Sequence, residues 1–145
     1  MIDIERKFLV NGPIPEGEDT PIQEGYLSRN PERTVRIRTR KDKANISVKG
    51  KISADGLSRY EFKQEISMED ALNLLKICEP GVIEKTRRAI KWGEHTIKVD
   101  IFHGKYDGLV IAEVELEDPD QPFEKPEWLG EEVTGNLKYY NSNLT

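Results

Sequence analysis

Thr34-Val35-Arg36-Ile37-Arg38-Thr39-Arg40 places three arginines on one face of an extended chain, with Val35, Ile37 and Thr39 on the other. A period of two is the mark of a strand with two unlike faces, and it recurs along the chain. Asp3, Glu5 and Lys7 face away from Ile4 and Phe8. Lys49 and Lys51 follow Ile46 and Val48, and Glu61, Lys63 and Glu65 alternate with Tyr60, Phe62 and Ile66. Lys85 and Arg87 share a face; Lys98 and Asp100 oppose Ile97, Val99 and Ile101; Glu113, Glu115 and Glu117 alternate with Ala112, Val114 and Leu116. The strands expected from this pattern are 2–10, 22–28, 34–41, 45–51, 58–66, 83–91, 95–102 and 109–117.

One helix interrupts the strands. Ser67 and Asp70 have the spacing of a shortened capping box, and Ala71, Leu72, Leu75 and Cys78 then share a helical face until Pro80-Gly81 ends it. Residues 50–56 and Trp92-Gly93-Glu94 have the composition of hairpin connections. The Pro-, Gly- and acid-rich segment 118–136 is expected as a loop with a short helical turn, and Lys138 to Leu144 as a closing short helix. No repeat or linker divides residues 1–145, so one domain is expected. Eight short strands and little else predict a mostly β, α+β barrel that closes its own edges.

Composition narrows the function. The 145 residues carry 22 Lys+Arg and 27 Asp+Glu, a net charge of −5, with 36% apolar residues. Mean hydropathy is −0.67. This balance argues against nucleic-acid binding, which draws its affinity from a basic surface. Apolar stretches such as Leu109 to Ala112 are far too short to span a membrane. The opening Met1-Ile2-Asp3-Ile4-Glu5-Arg6-Lys7 is charged where a signal peptide would be apolar, so a cytoplasmic location is expected. Cys78 has no partner for a disulfide and is expected as a buried core thiol; it shares no zinc-ligand spacing with His95 and His103.

The plain alternative for the ionic faces is a sheet with one side in water. Two features weigh against it. Several strands are segregated by sign, acidic at 113–117 and basic at 36–40, 49–51 and 85–87. Glu and Lys are also poor strand formers. Segregated carboxylates and cations suit a polyphosphate carrying a hard divalent ion: carboxylates supply oxygen ligands, and arginine grips phosphate at two points. No glycine-rich phosphate loop occurs, so side chains would have to hold the phosphates.

Asp3-Ile4-Glu5-Arg6-Lys7 resembles the E-x-E-x-K signature of the CYTH superfamily, the triphosphate tunnel metalloenzymes. The order of later elements is similar too. Arg36-Ile37-Arg38 resembles the R-x-R strand, Lys49 the lysine that follows it, and Glu84-Lys85-Thr86-Arg87 the E-K-x-R element. Asp100 matches the late aspartate and Glu113-Val114-Glu115 the paired glutamates; Glu132-Val133-Thr134 and Lys138-Tyr139-Tyr140-Asn141 resemble the closing segments. The resemblance implies an eight-stranded antiparallel closed barrel with a charged interior, apolar faces outward and a few external helices.

It further implies a metal-dependent triphosphatase, with inorganic tripolyphosphate the expected substrate and Mg²⁺ or Mn²⁺ the expected cofactor. Lys7, Arg36, Arg38, Lys49, Arg87 and Lys138 are then expected to bind triphosphate, and Asp3, Glu5, Glu61, Asp100, Glu113 and Glu115 the metal. Lys85 is expected as general base, its pKa lowered by Arg87 and neighbouring cations, with Tyr26 from Gln23-Glu24-Gly25-Tyr26-Leu27 beside it. Two residues depart from the pattern: Asp3 is a methylene shorter than glutamate, and Lys63 stands where a second acid is common. An adenylate cyclase, a thiamine or nucleoside triphosphatase and a non-catalytic polyphosphate binder are the alternatives. The outward apolar faces would suit a homodimer.

Overall fold

The computed structural model describes residues 1–144 and contains nine strands and one α-helix. In chain order they are β1 (Ile2–Val10), β2 (Glu18–Ser28), β3 (Arg33–Arg40), β4 (Lys43–Gly50), β5 (Ser58–Ile66), α1 (Met68–Lys76), β6 (Ile83–Trp92), β7 (His95–Phe102), β8 (Val110–Glu115) and β9 (Leu129–Glu132). All pairings are antiparallel, and the strands follow the order β5-β4-β3-β2-β6-β7-β8-β1, closed by pairing of β1 with β5. Closure removes both sheet edges. β1 shares one of its edges between two partners: Ile2, Asp3 and Ile4 pair with β5, while Phe8 and Val10 pair with β9.

The eight expected strands all form, three of them (2–10, 58–66 and 95–102) with the expected bounds and five with shifted ends. β2 starts at Glu18 and so includes Pro21, where residue 22 was the expected start. This is tolerated because β3 pairs with β2 only from Ile22 onward, while the earlier residues pair with β6 alone. β9 lies inside the segment expected as a loop. Its four residues are too few to show a period, and it forms because β1 offers a free edge beyond β5. Two 3₁₀ turns, Leu137–Tyr139 and Asn141–Asn143, replace the expected closing helix.

Apolar outward faces are covered in two places. Under α1, Ala71 and Leu75 pack on Ile37 and Ala44. The Ser67 side chain caps the helix by accepting from the Asp70 N–H at 3.0 Å. Leu72, expected on the buried face, is 48% exposed, because the contact line follows the i, i+4 pair Ala71 and Leu75. Cys78 is half-buried rather than buried, lying past the helix against Gly25, where a Cβ would come within 3.0 Å of its sulfur. A second cluster joins Phe8, Ile97, Val99, Ala112, Val114 and Leu129 beneath Trp92, Phe123 and Trp128. The Trp92 indole donates to the Glu124 carbonyl at 2.7 Å and pins the covering loop.

A third cluster occupies inward positions at one end of the barrel. Tyr26, Ile83, Phe102, Ile111 and Leu144 meet there. The rest of the interior is ionic. At the opposite end Arg40 and Lys63 border both the interior cavity and a surface basin of about 680 Å³.

Candidate active site

Strand alternation turns Asp3, Glu5 and Lys7 of β1 inward, together with Glu113 and Glu115 of β8. Register sets Glu5 opposite Glu115 and Lys7 opposite Glu113. The second pair is an ion pair, with Lys7 Nζ 3.0 Å from Glu113 Oε1. The first sets like charges across a ladder, an arrangement that is unfavourable by itself. Burial raises the Glu5 carboxyl to about 7, with the Glu113 and Asp3 carboxylates adding to the effect. Burial also raises Asp3, against the pull of Lys49. This wall of the cavity therefore carries carboxylates that gain from a cation. Glu115 lies at its exposed end, 3.2 Å from Lys98.

The facing wall is basic: Arg36 and Arg38 from β3, Lys49 from β4 and Arg87 from β6 border the same cavity. Arg36 Nη2 donates to Ser47 Oγ at 3.1 Å and lies 4.0 Å from Glu61, while its buried Nε has no hydrogen-bond partner. Lys49 sits 3.6 Å from Glu61 and 3.9 Å from Asp3; burial, then the nearby Arg36 charge, lowers its ammonium to about 8. A buried guanidinium with an unused donor is costly unless a ligand accepts from it.

Behind this surface runs a chain of ion pairs. Arg38 Nε meets Glu24 Oε2 at 2.8 Å, and Lys85 Nζ meets Glu24 Oε1 at 2.9 Å and Asp100 Oδ2 at 2.8 Å. Arg87 grips Asp100 at two points, 2.7 and 2.9 Å, and approaches Glu113 to 4.0 Å. Glu24 is 0% exposed, and Lys85 and Asp100 are 1% exposed. Burial opposes the charge on Glu24, yet Arg38, Lys85 and Arg36 hold its carboxyl well below the usual range. Lys85 and Arg87 likewise hold Asp100 low against burial, and Lys7 and Arg87 hold Glu113 well below the usual range.

The expected site residues divide accordingly. Asp3, Glu5, Lys7, Tyr26, Arg36, Arg38, Lys49, Glu61, Arg87, Glu113 and Glu115 border the cavity. Lys85 and Asp100 are not on its lining; they lie in the ion-pair chain behind it, adjoining it. The Lys85 pKa is lowered, but burial is the first cause and the cations Arg38 and Arg87 come after the opposing pull of Asp100 and Glu24. Its third proton goes to Asn141 Oδ1 at 3.2 Å. Burial, then Glu24, pushes the Tyr26 hydroxyl up to about 12, so it stays protonated. Lys138 is exposed, with its ammonium over the Tyr139 ring, because the 3₁₀ turn directs Tyr140, Asn141 and Ser142 to the cavity in its place.

Glu24 lies outside the set of site residues expected from sequence. The signal for Glu24 was its inward parity with Ile22 and Tyr26. Arg59 borders the cavity with its guanidinium 5.6 Å from the Tyr140 ring centre. His95 and His103 bond Pro122 and Thr86, away from the cavity.

Among the described residues, no three carboxylate, imidazole or thiol groups stand ready to hold one metal ion. The donor chemistry nevertheless fits a hard divalent cation. Asp3, Glu5, Glu113 and Glu115 offer only oxygen, and the raised Glu5 carboxyl is where positive charge would be most stabilising.

The chain is similar over its length to known proteins. The CYTH domain family matches residues 1–144. An inorganic triphosphatase of Acetivibrio thermocellus is 41% identical over 145 residues, covering 98% of this chain and 92% of that protein. One from Nitrosomonas europaea is 36% identical, covering 99% and 97%. A crystal structure of an inorganic triphosphatase superposes with a TM-score of 0.69 at 31% identity, covering 98% and 93%.

Glu5 and Glu24 should affect stability with opposite signs. Glu24, held low, contributes stability that is full above the ordinary carboxylate value and is lost as pH falls. Glu5, raised from 4.5 to about 7, costs stability increasingly as pH climbs between those values. With chelator present, Glu5→Gln should therefore be more stable than wild type by about 1 kcal/mol or more near pH 8, and the gain should vanish near pH 4. Urea unfolding at the two pH values measures this; a gain independent of pH would contradict the assignment.

Proposed function

Because the chain belongs to the CYTH domain family, we propose that its charged tunnel hydrolyses inorganic tripolyphosphate to pyrophosphate and orthophosphate, using a divalent metal. The observation that carries this reading is one cavity lined by the cations Lys7, Arg36, Arg38, Lys49 and Arg87 together with the carboxylates Asp3, Glu5, Glu61, Glu113 and Glu115. The full-length similarity to inorganic triphosphatases supports it, and no comparable similarity favours a cyclase, a thiamine triphosphatase or a non-catalytic binder.

In this reading Lys7, Arg36, Arg38, Lys49 and Arg87 bind the phosphates, the arginines at two points each and the lysines as point charges. Arg59 adds a further cation on the cavity lining. Asp3, Glu5, Glu61, Glu113 and Glu115 would hold Mg²⁺ or Mn²⁺. Such an ion neutralises phosphate charge and makes water a better nucleophile.

Asp100 has both oxygens engaged by Arg87 and Lys85, so we assign it to orient those cations rather than to ligate metal. Lys85 Nζ likewise donates to Glu24 and Asn141 and forms an ion pair with Asp100. We therefore assign it to hold Glu24 and Asp100 in place, not to take a proton from water. Protonated Tyr26 is left as a hydrogen-bond donor toward phosphate.

No helix of the described residues is long and apolar enough to cross a membrane. The outer faces of β1 and β5 leave Ile2, Tyr60 and Phe62 exposed, at 60%, 52% and 47%. This patch supports self-association, and sedimentation should find a dimer in wild type that Phe62→Ser shifts toward monomer. A monomeric wild type at all concentrations would refute the dimer.

Phosphate release should be seen from tripolyphosphate with Mg²⁺ or Mn²⁺, exceed that from ATP or thiamine triphosphate, and stop with chelator. Arg36→Ala should lower kcat/KM by about a hundredfold or more, the scale of removing a buried contact to a charged group. Absence of metal-dependent release from all three substrates would refute the enzyme reading.

A further inference from the structure

Tyr140, Asn141 and Ser142 reach the cavity from a segment that contains only short 3₁₀ turns. One side chain ties this segment down. A register shift between Tyr26 and Ser28 bends β2 just before Arg29. The Arg29 guanidinium then donates from Nη1 to the carbonyls of Ser142 and Leu144 at 2.8 and 3.2 Å. From Nη2 it donates to the carbonyls of Pro80 and Gly81, beyond α1, at 3.1 and 3.3 Å. It also lies 5.0 Å from the centre of the Tyr26 ring, whose side chain lines the cavity.

Carbonyls at the ends of turns lack intrasegment partners, and the planar fork of arginine can serve several at once. A lysine ammonium cannot span the same four acceptors in the same plane. The docked segment then presents Asn141 Oδ1 to the Lys85 ammonium at 3.2 Å, completing the acceptor set that fixes Lys85 between Glu24 and Asp100.

We infer that Arg29 is a positioning residue for the active site: it latches the Tyr140–Leu144 segment so that Asn141 holds the Lys85 ammonium in register. This rests on the triphosphatase reading of the cavity. Arg29 touches no substrate in this account; its effect passes through Asn141. A purely structural tie would lower stability and act independently of Asn141, whereas the latch makes the two residues one functional unit.

The test is a double-mutant cycle of Arg29→Ala and Asn141→Ala, read as kcat for tripolyphosphate, with hydrogen exchange of residues 137–144 measured in parallel. Each single variant should lose about tenfold in kcat with little change in KM, and the double variant should lose about the same rather than a hundredfold. Arg29→Ala, not Asn141→Ala, should speed exchange of the segment about tenfold. Arg29→Lys should behave like Arg29→Ala, because charge without the fork cannot hold four carbonyls. A multiplicative loss in the double variant, full activity in Arg29→Lys, or unchanged exchange in Arg29→Ala would each overturn the latch. An inactive wild type would overturn the triphosphatase reading, while the exchange measurement would still decide whether Arg29 holds the segment.

Discussion

Charge taken out of water must be matched by opposite charge, and that requirement organises this barrel. From Arg38 through Glu24, Lys85, Asp100, Arg87 and Glu113 to Lys7, successive partners lie between 2.7 and 4.0 Å apart. The chain crosses β3, β2, β6, β7, β8 and β1, so it links most of the wall through the interior. Removing one member would leave an unpaired buried charge, at a cost of about 3–5 kcal/mol. An apolar core would be cheaper to build. The ionic interior is explained by its use, with packing left to the outer faces under α1 and the loop before β9 and to one end of the barrel.

The ion-pair chain also explains why some cations are available to a ligand and others are not. Lys85 is held by Glu24, Asp100 and Asn141 and so sets the field and the geometry, whereas Arg87 gives Asp100 only two of its five N–H groups. Arg36 keeps a donor in reserve, and Lys49 meets its carboxylates only at 3.6 and 3.9 Å. Across the cavity, Glu5 lacks a close cationic partner and is correspondingly reluctant to ionise. A triphosphate with a divalent ion offers charges of the two kinds that these groups lack. Such complementarity suits a compact, densely charged substrate better than a large organic one.

Much of the barrel was legible because inward ionic and outward apolar residues alternate with a period of two in most of its strands. The Arg36-Ile37-Arg38 and Glu113-Val114-Glu115 alternations placed the two walls correctly. Other elements carried too little local signal. β9 has four residues and exists only because β1 has a spare edge. Glu24 is a lone charge among Ile22, Gly25, Tyr26 and Leu27, and nothing local shows that two cations from other strands converge on it. Lys138 looked suited to the cavity by residue type, but the 3₁₀ turn presents Tyr140, Asn141 and Ser142 instead. The Lys85 environment was read as crowding by cations; its closest neighbours proved to be two carboxylates, which only closure of the barrel brings together.

The central claim is that the interior cations, and not the acidic exterior, receive the triphosphate. Calorimetric titration with tripolyphosphate, in the presence of chelator to prevent turnover, tests it most directly. Binding should occur at one site per chain, weaken at least about tenfold (about 1.4 kcal/mol) in Arg36→Ala/Lys49→Ala, and persist in Arg6→Ala/Arg88→Ala, whose arginines pair with Glu132 and Asp19 outside the barrel. Equal binding by both double variants, or loss in the exterior pair alone, would contradict the account.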